Sequence, residues 1–221
     1  MKLLLTSGGI TNKTITDALF ELAGKKAEEI TLAFIPTAAN AESNDKGWFI
    51  ENLYQLKQQN FKMLDIVDIS ALPKWNWQPR LEVADVLFFS GGITPHLMHW
   101  VEKSGLQELL PELLKTRVYV GVSAGSVITS PTLALSSQDK ALWYKEKFGG
   151  QEIKEGLGFV DFYIRPHLNS PKFPNTRKEF LEEIAKQIPQ TIYGLDDQMA
   201  LKVVDGKVEA VGEGEYLIFN K

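Results

Sequence analysis

Arg117-Val118-Tyr119-Val120-Gly121-Val122-Ser123-Ala124-Gly125-Ser126 is the stretch on which the fold turns. Its first half is rich in β-branched and aromatic residues and reads as a strand. Its second half is made of small residues and reads as a sharp turn into a helix. Within it, Gly121-Val122-Ser123-Ala124-Gly125 matches G-x-S-x-G. In that pattern the serine sits on a strained strand-to-helix turn. The flanking glycines let neighbouring backbone pass without a Cβ clash, and the hydroxyl is lifted above the sheet. The N–H groups that follow point to where an oxyanion develops. The same residues also suit a plain strand–helix connection with Ser123 as N-cap, so the pentapeptide needs partners before it means chemistry.

Outward from this turn the chain alternates. Apolar runs at 2–6, 31–36, 63–67, 84–90, 117–122, 161–166 and 191–195 read as strands. Val83-Ala84-Asp85-Val86-Leu87-Phe88-Phe89 is almost continuously apolar, as strands covered on both faces are. Amphipathic stretches at 13–23, 45–59, 96–115 and 176–187 read as helices, with Phe49, Leu53 and Leu56 at helical spacing in the second. The alternation predicts an α/β fold of three layers, a mostly parallel sheet flanked by helices. The end of the chain differs. Residues 200–204 and 207–211 flank Asp205-Gly206 and read as an antiparallel hairpin, with 216–219 as a last strand. With no repeats or linker, residues 1–221 are expected to form one domain.

Composition removes whole classes of function. There is no cysteine, so no disulfide framework, thiolate zinc site, iron–sulfur cluster or cysteine nucleophile. A net charge of -4, with lysines and acids interspersed, argues against a general nucleic-acid binder. No apolar run approaches the roughly 20 residues of a membrane span. The opening Met1-Lys2-Leu3-Leu4-Leu5 stops at Thr6-Ser7-Gly8-Gly9, too short for a signal core, and reads as the first strand. The expectation is a cytoplasmic protein without nucleic-acid or membrane partners.

In open α/β sheets ligands bind beyond the carboxyl ends of the strands. Small and polar residues recur there: Ser7-Gly8-Gly9, Ser90-Gly91-Gly92, Ser123-Ala124-Gly125, His167 and Asp196-Asp197. A serine hydroxyl needs a base, and the histidines are only His96, His99 and His167. His167 follows a strand pattern and opens onto the same crevice, so it is the candidate general base. One of Asp196 and Asp197 would accept from its imidazole; Asp139, in the polar stretch 136–140, is a second source of that carboxylate. Backbone N–H groups of Ser90-Gly91-Gly92 and of Ala124 would complete an oxyanion hole. Arg165, two residues before His167 on a strand, faces the same side, and its guanidinium fork suits a carboxylate. His96 and His99 lie at i, i+3 after Thr94 and Pro95, an expected N-cap and first helical residue. That spacing permits a shared metal, but a third ligand must come from a carboxylate, and no metal or cofactor is expected. His96 is expected to line the crevice and His99 to pack beside Trp100.

In order along the chain, Phe89-Ser90-Gly91-Gly92-Ile93-Thr94, Gly121-Val122-Ser123-Ala124-Gly125-Ser126, Arg165-Pro166-His167 and Gly194-Leu195-Asp196-Asp197-Gln198-Met199-Ala200-Leu201 resemble the S51 serine peptidases, the family of aspartyl dipeptidase and cyanophycinase. The resemblance spans nearly the whole chain. It implies a class I glutamine-amidotransferase-like fold with serine where those relatives carry cysteine. It implies Ser123 as nucleophile, His167 as base and Asp197 as the acid, at a position usually Glu in the family. Gly92 and Ala124 fall on the oxyanion-hole positions, and Ile93 stands where the family often has Asn. The dipeptidase branch recognises an N-terminal aspartate through an arginine early in the helix after the histidine, and Arg177 matches it. The expected activity is serine-type hydrolysis of small peptides, with N-terminal-Asp dipeptides among the candidate substrates. An esterase or amidase with the same triad and a non-catalytic small-ligand binder are the alternatives. Monomer and homodimer both stay open.

Overall fold

The computed structural model describes residues 1–136, 142, 144–146, 149 and 153–221. The elements run β1 (Lys2–Thr6), α1 (Lys13–Ala23), β2 (Thr31–Ile35), α2 (Thr37–Asn40), α3 (Gly47–Gln58), β3 (Met63–Ile66), α4 (Lys74–Val83), β4 (Val86–Phe89), α5 (Thr94–Lys103), α6 (Leu106–Leu113), β5 (Val118–Val122), α7 (Ala124–Val127), β6 (Tyr163–Arg165), α8 (Lys178–Ala185), β7 (Ile192–Leu195), β8 (Met199–Val204), β9 (Lys207–Gly212) and β10 (Tyr216–Phe219). Seven strands form the main sheet in the order β3-β2-β4-β5-β1-β8-β9. The first five are parallel, and the β8–β9 hairpin adds antiparallel at the free edge of β1. Helices cover both faces, which is why β4 and β5 are buried along their whole length. One face carries a core with Leu87, Phe89, Leu97, Met98 and Val127; the other carries Leu4, Phe34, Leu56 and Val120, with Phe49 and Leu53 of α3 packed on it.

The expected α/β architecture with its C-terminal hairpin is present, with three differences. Residues 161–166 and 191–195 do not extend the main sheet: β6 and β7 pair in parallel with each other, and β10 joins β7 antiparallel, as a second sheet. The edge of β1 that such strands would take is occupied by β8, in the register Leu5↔Leu201. The stretch 96–115 is two helices, because Gly105 at φ 78 takes the left-handed conformation between α5 and α6. The helix α4, Lys-Trp-Asn-Trp-Gln-Pro-Arg-Leu-Glu-Val, is not legible from periodicity: Pro79 lies inside it and only Trp77 and Leu81 are buried.

Two connections position the site. The β1 end is tied to the turn after β5: Ser123 N–H donates to Thr6 O (3.0 Å), Thr6 Oγ1 to Gly121 O (2.8 Å) and Ser126 Oγ to Thr6 O (2.7 Å). The chain passes from the small sheet to the main one through Asp196-Asp197-Gln198.

Candidate active site

The turn at Ser123 is built by close approach. A β-carbon on Gly121 would lie 2.6 Å from the Gly125 carbonyl, and one on Gly125 would lie 2.3 Å from Phe89 O, so only glycine lets the strand and helix meet this tightly. The buried Tyr119 hydroxyl donates to Gly125 O (2.6 Å) and locks the turn from below. Ser123 is left at φ 46, ψ −101, a conformation that costs a non-glycine residue about 1–3 kcal/mol. It holds the N-cap position of α7 but its side chain caps nothing there. Its Oγ stands 2.9 Å from Nε2 of His167 instead.

His167 follows β6 and is also at positive φ (65°). Its Nδ1 lies 2.6 Å from Oδ1 of Asp197. A carboxylate only accepts, so Nδ1 carries the proton and Nε2 is free to accept from Ser123. The Phe173 ring stacks on the imidazole with centroids 4.5 Å apart and planes at 17°. Burial raises the Asp197 carboxyl pKa, but hydrogen bonds from His167 and Ser7 and the charges of His167 and Lys172 outweigh it and hold the group below its usual range. Of the two candidate acids among the described residues, Asp197 is the one that meets His167. Asp196 is spent on its own turn, accepting from the Gln198 and Glu215 N–H groups. Asp139 lies outside the described residues.

Ser7 escaped notice as a functional residue in the sequence. It is fully buried at the end of β1, and its hydroxyl touches both partners of the imidazole: Oγ donates to Asp197 Oδ1 (2.9 Å) and accepts from the backbone N–H of His167 (2.8 Å). The signals for it were its place at a strand exit and its membership of the Thr6-Ser7-Gly8-Gly9 stretch, which the resemblance to the S51 peptidases also covers.

The remaining candidates separate. Gly92 lines the cleft beside Ser123, at φ 136; a β-carbon there would fall 2.1 Å from Ala38 O. Ala124 heads α7, where the first N–H groups of a helix have no acceptor within it. Arg165 lines the cleft with Thr94, Phe173 and Thr176. Its Nη groups donate to Leu135 O and Asn175 O, its buried Nε has no acceptor among the described residues, and burial lowers its pKa. No carboxylate pairs with it among the described residues. Arg177 does not line the cleft. The neighbouring Thr176 is buried and turned inward, its hydroxyl on Phe173 O, while Arg177 follows in extended backbone and is exposed at the head of α8. His96 does not line it either. Thr94 does, and two residues on is about 200° round the helix. His96 is buried edge-on to Trp100 and Tyr144, and burial, with His99 nearby, lowers its pKa to about 4. His99 packs against Trp100 as expected, with ring centroids 5.7 Å apart. No group of three or more metal-binding side chains occurs among the described residues.

An elbow serine, an imidazole and a carboxylate in hydrogen-bond sequence on this α/β frame have the geometry of a serine hydrolase. The model of peptidase family S51 matches residues 3–211, and the chain belongs to that family. It is 27% identical to the uncharacterized peptidase Lmo0363 of Listeria monocytogenes over 77% of this chain and 80% of that one. It is 26% identical to peptidase E of Nostoc sp. over 85% of this chain and 75% of the relative. The fold is shared with a crystal structure from an acI-B1 Actinobacterium described as a peptidase (TM-score 0.70, 20% identity, 99% and 90% coverage) and with one from L. monocytogenes EGD-e described as a peptidase E (TM-score 0.76, 24% identity, 96% and 98% coverage). Among the described residues no helix is long and apolar enough to cross a membrane.

Proposed function

We propose that this chain, acting as one domain, hydrolyses small peptides through Ser123, His167 and Asp197, dipeptides with an N-terminal aspartate among them. Ser123 Oγ attacks the scissile carbonyl carbon while its proton passes to His167 Nε2. The N–H groups of Gly92 and Ala124 hold the carbonyl oxygen as it becomes an oxyanion. The C–N bond then breaks, and His167 gives its proton to the leaving amine, leaving an acyl ester on Ser123. A water molecule attacks that ester with His167 again taking the proton, and the carboxylic acid product departs. Asp197 stabilises the imidazolium in both halves.

The observation that carries this reading is the relay itself, 2.9 Å from Oγ to Nε2 and 2.6 Å from Nδ1 to the carboxylate. The peptidase E name of the Nostoc sp. relative agrees with a peptide substrate. Arg165 supports an acidic substrate residue: it is a desolvated cation on the cleft wall with no paired carboxylate among the described residues. The deciding experiment is a dipeptide library with every N-terminal residue, run on wild type, Ser123→Ala and Arg165→Met. Hydrolysis disappears in Ser123→Ala, and Arg165→Met selectively loses Asp-Xaa relative to Ala-Xaa. Hydrolysis that survives Ser123→Ala refutes the mechanism.

A further inference from the structure

We propose that Ser7 is a fourth, positioning member of the Ser123–His167–Asp197 relay, a hydroxyl that fixes the imidazole and its carboxylate relative to each other. The inference rests on that relay reading. A serine hydroxyl has one proton to give and lone pairs to accept with. At Ser7 the proton goes to Asp197 Oδ1 (2.9 Å), the same oxygen that faces His167 Nδ1, and a lone pair takes the His167 backbone N–H (2.8 Å). One atom therefore measures the distance between the base and its acid.

Both partners need such a clamp. His167 sits at φ 65, a conformation that must be held by its surroundings. Asp197 is on the short crossover between the two sheets, and its side chain is half exposed. Ser7 is the rigid party: it is fully buried, its N–H donates to Met199 O, and it directly follows β1, an interior strand of the main sheet. The same loop holds the Asp197 backbone as well. Thr11 Oγ1 donates to Asp197 O (2.9 Å), and a β-carbon on Gly8 would press against that oxygen at 2.6 Å. Because the hydroxyl donates to Asp197, it also draws charge from the carboxylate, so it sets how strongly the acid holds the imidazolium.

The test needs no knowledge of the natural substrate. A fluorophosphonate probe reads the nucleophilicity of Ser123, with intact mass confirming one adduct. In Ser7→Ala the second-order labelling rate falls about 10- to 100-fold, the range for losing a buried hydrogen-bonding partner. The acid limb of its pH profile moves up by about half a pH unit, because Asp197 with one donor fewer favours the imidazolium. A purely structural role would not move that limb. Ser7→Thr keeps the hydroxyl and restores both rate and limb to near wild type. If Ser7→Ala labels at the wild-type rate with an unmoved limb, or if a folded Ser7→Thr is as slow as Ser7→Ala, the inference falls while the relay stands. If wild type is not labelled at Ser123 at all, the relay reading falls and takes this one with it.

Discussion

Asp197→Asn tests how much of the relay is charge and how much is geometry. The substitution keeps the side-chain shape and removes the charge. In many relays the amide turns its NH2 to the imidazole, forces the proton onto the wrong ring nitrogen and costs about 10⁴-fold. Here the geometry argues for a different outcome. Oδ1 accepts from both His167 Nδ1 and the Ser7 hydroxyl, so the amide oxygen takes that position and the imidazole keeps its proton on Nδ1. What is lost is the attraction between carboxylate and imidazolium. For charges about 4 Å apart at an effective dielectric near 20, that is about 4 kcal/mol, or about 10³-fold in rate. The cost to folding is small, because the side chain is half exposed. Asp197 is held below its ordinary pKa, so it stays ionised through the usual carboxylate range; the stability it contributes is present above that range and is lost as pH falls through the lowered value. The assay is fluorophosphonate labelling and peptide hydrolysis from pH 6 to 9, beside a thermal melt. A variant that melts normally and keeps more than about one-thirtieth of the activity would refute the assignment of Asp197.

Gly92→Ala forces a β-carbon against Ala38 O, so it shifts the oxyanion donor and lowers kcat by about 10²-fold or more, with a smaller loss in Tm; steady-state kinetics and a melt separate the two. His96 has a folded pKa of about 4 against about 6.5 unfolded. The unfolded chain therefore binds the proton first, and stability falls by up to about 3 kcal/mol as pH drops from 6.5 to 4. His96→Phe flattens that part of a Tm-against-pH curve measured beside wild type.

What the sequence made legible was local. The elbow declares itself in five residues because its glycines answer contacts with backbone one or two turns away or across one strand, at Gly125 and Phe89. His167 was legible by elimination among three histidines; the apolar run before Asp196-Asp197 pointed to the pair, and the resemblance to the S51 peptidases singled out Asp197. The illegible parts depend on long-range choices. Whether 161–166 and 191–195 join the main sheet was decided by competition for the edge of β1, which β8 wins. The role of Ser7 depends on residues 160 and 190 positions away. His96 and Arg177 had the right chemistry, but the helix turn at Thr94 and the extended backbone at Arg177 give the cleft to their neighbours. The α4 helix carries no usable period, with polar residues and Pro79 breaking the stripe.

The absence of cysteine explains why so many restraints converge on one point. A thiolate is a competent nucleophile on its own near neutral pH, whereas a hydroxyl must have its proton taken as it attacks. That transfer is sensitive to misplacement, since an error of about 1 Å costs about 10²-fold. The three side chains come from different places: the end of β5, the end of a strand in the second sheet, and the crossover between the sheets. Two small sheets that merely packed against each other would leave their relative position loose. The end of β1 removes that freedom. Thr6 binds the elbow through Gly121, Ser123 and Ser126, and the next residue, Ser7, binds His167 and Asp197. Two adjacent residues at the carboxyl end of β1 thus set nucleophile, base and acid on one frame. Substitutions at Thr6 should accordingly slow labelling of Ser123 even though Thr6 touches neither the base nor the acid.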